Sequence, residues 1–160
     1  MVNAFIGLGS NLDNPKGHVR QALEDLKELP KSQLLLASKL YLSKPVGPQD
    51  QDDFVNAVVL LATELEPLAL LDELQAIEQQ HQRVRKRHWG PRTLDLDLLL
   101  FGDQNVNHTR LTVPHTELSK RDFVIGPLLE LCPELVLPNG TPLQELLRQC
   151  PIDGLICIEA

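Results

Sequence analysis

The sequence lacks the features that mark secreted and membrane proteins. No apolar run approaches the ~18 residues that a membrane-spanning helix needs, and no basic segment is followed by an apolar leader region. Cysteine is scarce, and the three residues are an odd number without C-x-x-C spacing, which argues against a disulfide framework and a zinc site. We therefore expect a cytoplasmic protein with no membrane partner and with free thiols at Cys132, Cys150 and Cys157.

Aromatic residues and positive charge are also scarce. Aromatic residues make up 4% of the chain, and the formal net charge is −7. A nucleic-acid-binding surface needs positive charge against phosphate, and RNA-binding sheets need exposed aromatic side chains. The composition therefore argues against a nucleic-acid partner, although the alternation of strands and helices described below would also suit an RNA-binding module.

The glycine motifs of common nucleotide-binding folds are incomplete. The chain contains no G-x-x-x-x-G-K-[ST] sequence. Gly7 and Gly9 lack the third glycine of a dinucleotide fingerprint, whose position holds Leu12. We interpret the two glycines as a tight turn between a strand and a helix.

Length and periodicity predict a single α+β domain over residues 1–160, since 160 residues suffice for one hydrophobic core. Hydrophobic spacing predicts helices that begin near Pro15 and Pro67, strands over residues 2–8, 34–42 and 54–62, and a further strand that ends at Phe101. The order β-α-β-β-α-β predicts a ferredoxin-like sandwich, with helices on one face of a mainly antiparallel sheet and a C-terminal extension of short helices.

Two carboxylates stand two positions apart in the strand that ends at Phe101. Because strand side chains alternate between faces, Asp95 and Asp97 point the same way, roughly 6.6 Å apart along the backbone. Neighbouring carboxylates in an apolar setting stay ionised only beside a strong cation, and Mg²⁺ prefers such oxygen ligands together with substrate phosphates. Two alternatives stay open: a structural pair held by Arg92 or by strand-end amides, and the nucleotide-sugar site of a glycosyltransferase.

The segment before the aspartates is a basic exception in an acidic chain. Residues 81–92 contain no acid, and Trp89, Gly90 and Pro91 mark part of the segment as a loop. Arginine binds phosphate oxygens in a bidentate manner, so this loop and the carboxylates predict a site for a polyphosphate and a metal ion. A solvated charge run is the alternative. The cations are Arg83, Arg85, Lys86, Arg87 and Arg92.

Several segments together resemble one enzyme family over nearly the whole chain. The longest runs from His88 to Leu99 and reads His-Trp-Gly-Pro-Arg-Thr-Leu-Asp-Leu-Asp-Leu-Leu. The others are residues 9–12, 45–51, 54–57, 83–85 and 111–115. This combination is similar to the 6-hydroxymethyl-7,8-dihydropterin pyrophosphokinases of folate biosynthesis.

The resemblance implies an activity and its cofactor. The family transfers the β,γ-pyrophosphoryl group of ATP to the hydroxymethyl oxygen of the pterin and releases AMP. Two Mg²⁺ ions are expected at Asp95 and Asp97, with Arg83 and Arg92 as further catalytic residues. The expected partners are ATP and 6-hydroxymethyl-7,8-dihydropterin, and we expect a monomer because no exposed apolar helix face stands out in the sequence.

The resemblance also implies which residues bind the two substrates. The pterin ring is expected between Phe54 and Phe123, with Asn56, Ser43 and the backbone of Val46 hydrogen-bonded to it. For ATP, the matching positions contact the nucleotide, its phosphates or the loops that close over it: Gln75, Glu78, Arg85, Trp89, Leu98, Arg110, Thr112, His115 and Arg121.

Some residues depart from the family's pattern. Phe54 stands where tyrosine is common, and His88 where arginine is common, which should change affinity or loop motion rather than the reaction. The segment between Arg85 and Trp89 is one residue shorter than in some relatives, and Gln82 replaces a frequent glycine. The remaining histidines are expected at the surface: His18, His81 and His108.

Overall fold

The computed structural model describes residues 1–45, 52–81 and 93–158. The predictions for the basic segment and for part of the pterin-binding loop concern residues outside these ranges: Val46, Gln82, Arg83, Arg85, Lys86, Arg87, His88, Trp89 and Arg92.

Strands and helices alternate along the first two thirds of the chain. The strands are β1 (Val2–Ser10), β2 (Ser32–Ala37), β3 (Tyr41–Ser43), β4 (Phe54–Thr63), β5 (Asp95–Phe101), β6 (Val106–His108), β7 (Leu111–Val113) and β8 (Ile156–Cys157). The helices are α1 (Pro15–Lys27), α2 (Pro67–His81) and α3 (Asp122–Leu131), with short 3₁₀ turns at Leu118–Lys120 and Leu143–Arg148.

The larger sheet is antiparallel throughout its described pairings. Its strand order is β5-β1-β4-β3-β8, and β2 also pairs with β4. β1 therefore lies between β4 and β5, and β5 forms one edge of the sheet. β6 and β7 form a separate two-stranded sheet. The prediction of a mixed α and β protein with a mainly antiparallel sheet is confirmed.

One face of the large sheet packs against α1 and α2. Ile6 of β1, Leu26 of α1 and Leu74 of α2 are fully buried in one core cluster. Apolar residues recur along both helices at the predicted helical spacing, and burial of one leucine or isoleucine side chain contributes about 1.5–3 kcal/mol. This apolar layer supports the strands that carry the candidate site.

The opposite face is covered in part by C-terminal residues. Phe5 of β1 and Val58 of β4 form a second core cluster with Val124, Ile125 and Leu128 of α3. The prediction that helices lie on one face only was therefore wrong for the C-terminal part of the chain. The physical reason is that β1 is buried at every residue from Ala4 to Ser10, so both of its faces need cover.

The predicted strand over residues 34–42 is broken into β2 and β3. Ser38, between them, donates its backbone N–H to Val58 O at 2.8 Å, and its Oγ accepts the N–H of Val58 at 2.9 Å. The hydroxyl of Ser38 thus takes the place of a backbone carbonyl as the acceptor of the Val58 N–H. The sequence did not predict this break because apolar residues flank Ser38 and Lys39 on both sides.

Candidate active site

Asp95 and Asp97 lie on β5 and share one face of the sheet. Their partners across the ladder are Gly9 and Gly7 of β1. Leu96 between them is 4% exposed and packs toward α1 and α2, whereas the Asp97 side chain is 41% exposed. The alternation predicted from the sequence is confirmed, and the Asp97 carboxylate is open to a ligand from solvent, whereas Asp95 is partly buried.

The two glycines lie inside β1, where each is paired on both sides. Gly7 pairs with Val58 and Asp97, and Gly9 pairs with Asn56 and Asp95. Their interpretation as a strand-to-helix turn was wrong, because both glycines are paired with β4 and β5 within the ladder of β1. Without a side chain, Gly9 leaves the sheet surface bare beside Asn56.

Two basic side chains approach Asp97 from the C-terminal half of the chain. The guanidinium Nη1 of Arg121 lies 3.9 Å from Asp97 Oδ2, and His115 Nε2 lies 4.0 Å from the same oxygen. These separations exceed hydrogen-bond length, so the Arg121 interaction is electrostatic. The Arg121 side chain is only 14% exposed, which reduces solvent screening of its charge.

The ring of His115 is oriented by a hydrogen bond from a nearby backbone N–H group. Its Nδ1 accepts the N–H of Glu117 at 3.1 Å, and its backbone N–H donates to Leu99 O at 3.0 Å. In the neutral ring the proton then sits on Nε2, the nitrogen that faces Asp97. His115 therefore presents a hydrogen-bond donor at the carboxylate pair.

Three of the predicted pterin-binding residues come together on the same sheet face. Ser43 pairs with Phe54 across β3 and β4, and the Oγ of Ser43 donates to Asn56 Oδ1. Ser43 and Asn56 are buried, and Phe54 is partly buried. A Cβ added at Gly9 would lie 3.1 Å from Asn56 Nδ2 and 3.7 Å from Phe54 Cδ1, so Gly9 forms the floor beside them. The result is a cluster that combines an aromatic ring with an amide donor.

Phe123 begins the first turn of α3 and is linked to the carboxylate pair through Arg121. The Cζ atom of Arg121 lies 5.6 Å from the centroid of the Phe123 ring, a cation–π contact. The same guanidinium faces Asp97. Phe123 is partly buried against the second core cluster, which agrees with its simpler explanation as a packing residue as well as with a ring-binding role.

The other predicted nucleotide-binding residues that the structure describes lie in different surroundings. Arg110 donates to Gln75 Oε1 at 3.1 Å and to Asp72 Oδ1 at 2.6 Å, so the structure brings two of them together. Thr112 is exposed on β7. Leu98 is 2% exposed in the core beside α1 and α2, so only its backbone could contact a nucleotide. Glu78 binds the backbone of Leu96.

Sequence reasoning missed a histidine cluster between α1 and α2. His81 Nε2 lies 2.8 Å from Asp25 Oδ2, and His81 Nδ1 lies 2.8 Å from His18 Nδ1. The His81 side chain is 6% exposed, so its expected place at the surface was wrong. Helical spacing could have indicated the cluster, because His18 and Asp25 are seven positions apart on α1 and His81 follows buried Ile77 by four.

These features place two carboxylates, a largely buried arginine and a cluster of an aromatic, an amide and a hydroxyl side chain on one face of an antiparallel sheet. Residues 5–133 match the family described as 7,8-dihydro-6-hydroxymethylpterin-pyrophosphokinase (HPPK). The chain belongs to this family, as its sequence motifs predicted. Its reaction is therefore pyrophosphoryl transfer in folate biosynthesis.

Two bacterial relatives are similar over almost their whole length. The chain is 51% identical over 149 residues to the 2-amino-4-hydroxy-6-hydroxymethyldihydropteridine pyrophosphokinase of Haemophilus influenzae, covering 93% of each chain. It is 51% identical over 151 residues to the enzyme of the same name from Pseudomonas aeruginosa, covering 94% of this chain and 93% of that protein.

A solved structure supports the fold at lower identity. The chain superimposes on a Plasmodium falciparum HPPK-DHPS variant solved with STZ-DHP, with a TM-score of 0.72 and 14% identity. The match covers 92% of this chain and 45% of that one, so this chain spans under half the length of that protein. At this identity the likeness concerns the fold of the matched part alone.

The described residues contain neither a membrane-spanning helix nor a preformed cluster of metal ligands. No helix in those parts of the chain has the length and apolar character needed to cross a membrane. Within the same ranges, no group of three or more His, Cys, Asp or Glu side chains is arranged to hold a metal ion. A metal bound at Asp95 and Asp97 would therefore take its remaining ligands from water, from a substrate or from residues outside these ranges.

Proposed function

We propose that this protein transfers the β,γ-pyrophosphoryl group of ATP to the hydroxymethyl oxygen of 6-hydroxymethyl-7,8-dihydropterin and releases AMP. The observation that carries the proposal is the arrangement on one sheet face of the Asp95 and Asp97 carboxylates, the cation Arg121 and the cluster of Ser43, Phe54 and Asn56. Membership of the family agrees with it. The remaining assignments below are part of the same proposal.

The carboxylate pair fits Mg²⁺. Asp95 and Asp97 supply oxygen ligands on one face, and Mg²⁺ typically takes one or two carboxylates together with substrate phosphates. We propose that these two residues hold two Mg²⁺ ions shared with ATP. The ions would neutralise phosphate charge when bound.

The chain's own residues would position and neutralise the phosphates. Phosphoryl transfer needs orientation and charge stabilisation more than covalent help from the protein. Arg121 supplies a permanent positive charge and His115 an N–H donor beside Asp97. Arg83 and Arg92, outside the described residues, are proposed as further catalytic cations. In the transfer, the hydroxymethyl oxygen bonds to the β-phosphorus of ATP and its proton is released to water. The bond from that phosphorus to the bridging oxygen breaks, and AMP leaves with the electron pair on this oxygen.

The pocket beside Gly9 would hold the pterin ring. Because Oδ1 of Asn56 accepts from Ser43, its Nδ2 is available to donate to an acceptor on the ring edge. A flat heterocycle also gains from contact with the rings of Phe54 and Phe123. Val46, outside the described residues, is proposed as a further backbone contact.

The remaining nucleotide contacts are proposed from the same resemblance. Arg110, which precedes β7, and Gln75 of α2 already form a hydrogen-bonded pair, and we assign this pair to nucleotide contact. The other proposed nucleotide contacts are Arg85, Trp89, Leu98 through its backbone, Thr112, His115 and Arg121, whereas the Glu78 carboxylate is directed at the backbone of Leu96.

The proposal also covers the type of fold, the oligomeric state and the location of the protein. If β2 and β3 are counted as one interrupted strand, the sheet order is fourth, first, third, second, which supports a ferredoxin-like arrangement with a C-terminal extension. We further propose that residues 1–160 form a single domain, and that the protein acts as a cytoplasmic monomer without nucleic-acid or membrane partners.

The test is product analysis with Mg-ATP, in the presence and absence of 6-hydroxymethyl-7,8-dihydropterin. Pterin-dependent AMP without ADP is expected, and EDTA should abolish it. Asp97→Asn should also abolish it, whereas Asp103→Asn, an exposed aspartate just beyond β5, should not. ADP as the product, or AMP formation that does not depend on pterin, would contradict the proposal.

A further inference from the structure

Leu96 occupies a special place in the carboxylate-bearing strand. β5 is an edge strand whose only sheet neighbour among the described strands is β1. In an antiparallel pair, alternate residues direct their backbone N–H and C=O groups toward the partner strand, and the residues between them direct theirs away. The N–H of Leu96 points away from β1, between the peptide groups of Asp95 and Asp97.

A carboxylate from α2 accepts this outward N–H. Glu78 Oε2 lies 2.7 Å from Leu96 N, the length of a charge-assisted hydrogen bond. Glu78 is partly buried in the last turn of α2, and its neighbour Ile77 is packed in the core. The acceptor is therefore attached to a rigid element rather than to a loop.

We infer that Glu78 is a positioning residue for the carboxylate pair, an inference that rests on the proposed function. β1 holds the strand from one side through the ladder, and Glu78 holds the intervening peptide from the other. Rotation of that peptide would turn Asp95 and Asp97 away from their common direction. Glu78 thus sets the separation and direction of the two carboxylates through Leu96.

This role differs from a direct contact between the Glu78 carboxylate and the nucleotide. A positioning role needs only an acceptor oxygen in the right place, which glutamine also supplies. A direct ionic contact would need the charge and would act on nucleotide affinity. Glu78→Gln and Glu78→Ala therefore separate the two roles, and Gln79→Ala, exposed on the same turn of α2, is the matched control.

The first measurement is amide hydrogen exchange at Leu96 by NMR in the ligand-free protein. Loss of the acceptor in Glu78→Ala should speed exchange at Leu96 at least about tenfold, because an edge-strand N–H without a partner is open to water. Glu78→Gln and Gln79→Ala should exchange close to the unchanged protein. If Glu78→Ala does not fold, Glu78→Asp, which is one methylene shorter, replaces it.

The second measurement separates kcat from the KM for ATP. Misplaced carboxylates should lower kcat about ten- to a hundredfold in Glu78→Ala, with the KM for ATP changed less than about threefold. Glu78→Gln should restore most of kcat. Equal damage from both substitutions, with a raised KM, would overturn the inference in favour of a direct nucleotide contact.

The two proposals can fail separately. Absence of pterin-dependent AMP with the unchanged protein would refute the proposed function. Unchanged exchange at Leu96 in Glu78→Ala would refute the inference, whatever the activity. A loss of thermal stability in Glu78→Ala without a change in kcat for the folded fraction would also refute it, because the residue would then be merely structural.

Discussion

Replacement of Gly9 by alanine should weaken pterin binding and leave ATP binding unchanged. Gly9 lies within β1 opposite Asn56, and an added Cβ would lie 3.1 Å from Asn56 Nδ2. That distance is tighter than most real Cβ contacts, so the amide must move by a few tenths of an ångström. The strand conformation of Gly9 accepts alanine, so any fall in the free energy of unfolding should not exceed the value of the Ser43–Asn56 hydrogen bond, about 0.5–1.5 kcal/mol.

The size of the effect follows from what holds Asn56. Asn56 is 5% exposed, and its Oδ1 accepts a hydrogen bond from Ser43 Oγ. A shift of the Asn56 amide therefore weakens this hydrogen bond or the hydrogen bond that Asn56 would donate to the pterin ring. A single hydrogen bond has a net value of about 0.5–1.5 kcal/mol. The pterin Kd should therefore rise by about two- to tenfold.

The assay is titration calorimetry of the pterin in the presence of a non-hydrolysable ATP analogue. Gly7→Ala is the matched control, because its added Cβ would lie 3.4 Å from Leu99 Cδ1, an ordinary contact with a flexible side chain. Wild-type affinity in Gly9→Ala would refute the reasoning. An equal loss in Gly7→Ala would also refute it, since the effect would then be general to β1.

Three further predictions concern the C-terminal half of the site and the missed cluster. Phe123→Ala should weaken pterin binding more than ATP binding in calorimetry, because it removes a ring surface but no phosphate ligand; equal losses would point to general destabilisation. Arg121→Ala should lower kcat/KM at least about tenfold, whereas Arg148→Ala, whose side chain is 80% exposed, should not. His81→Ala should lower the free energy of urea unfolding by about 1–3 kcal/mol, because Asp25 loses a buried partner; an unchanged midpoint would contradict this.

The sequence predicted the structure best where the repeat of a strand or a helix determines which side chains share a face. Alternation along β5 placed Asp95 and Asp97 on one face before any tertiary contact was known. Helical spacing likewise predicted the buried stripe of α2, including Leu74 and Ile77. In both cases the neighbours in sequence are also the neighbours in space.

The sequence by itself thus determined the face of the carboxylates, the buried sides of the helices and, through its motifs, the family. Only the tertiary structure decided that Ser38 interrupts a strand, that Gly9 lies inside β1 and that α3 covers the second face of the sheet. The Glu78–Leu96 and His81–Asp25 contacts join residues 18 and 56 positions apart. No local period encodes such pairs, because they depend on how the helices and strands dock.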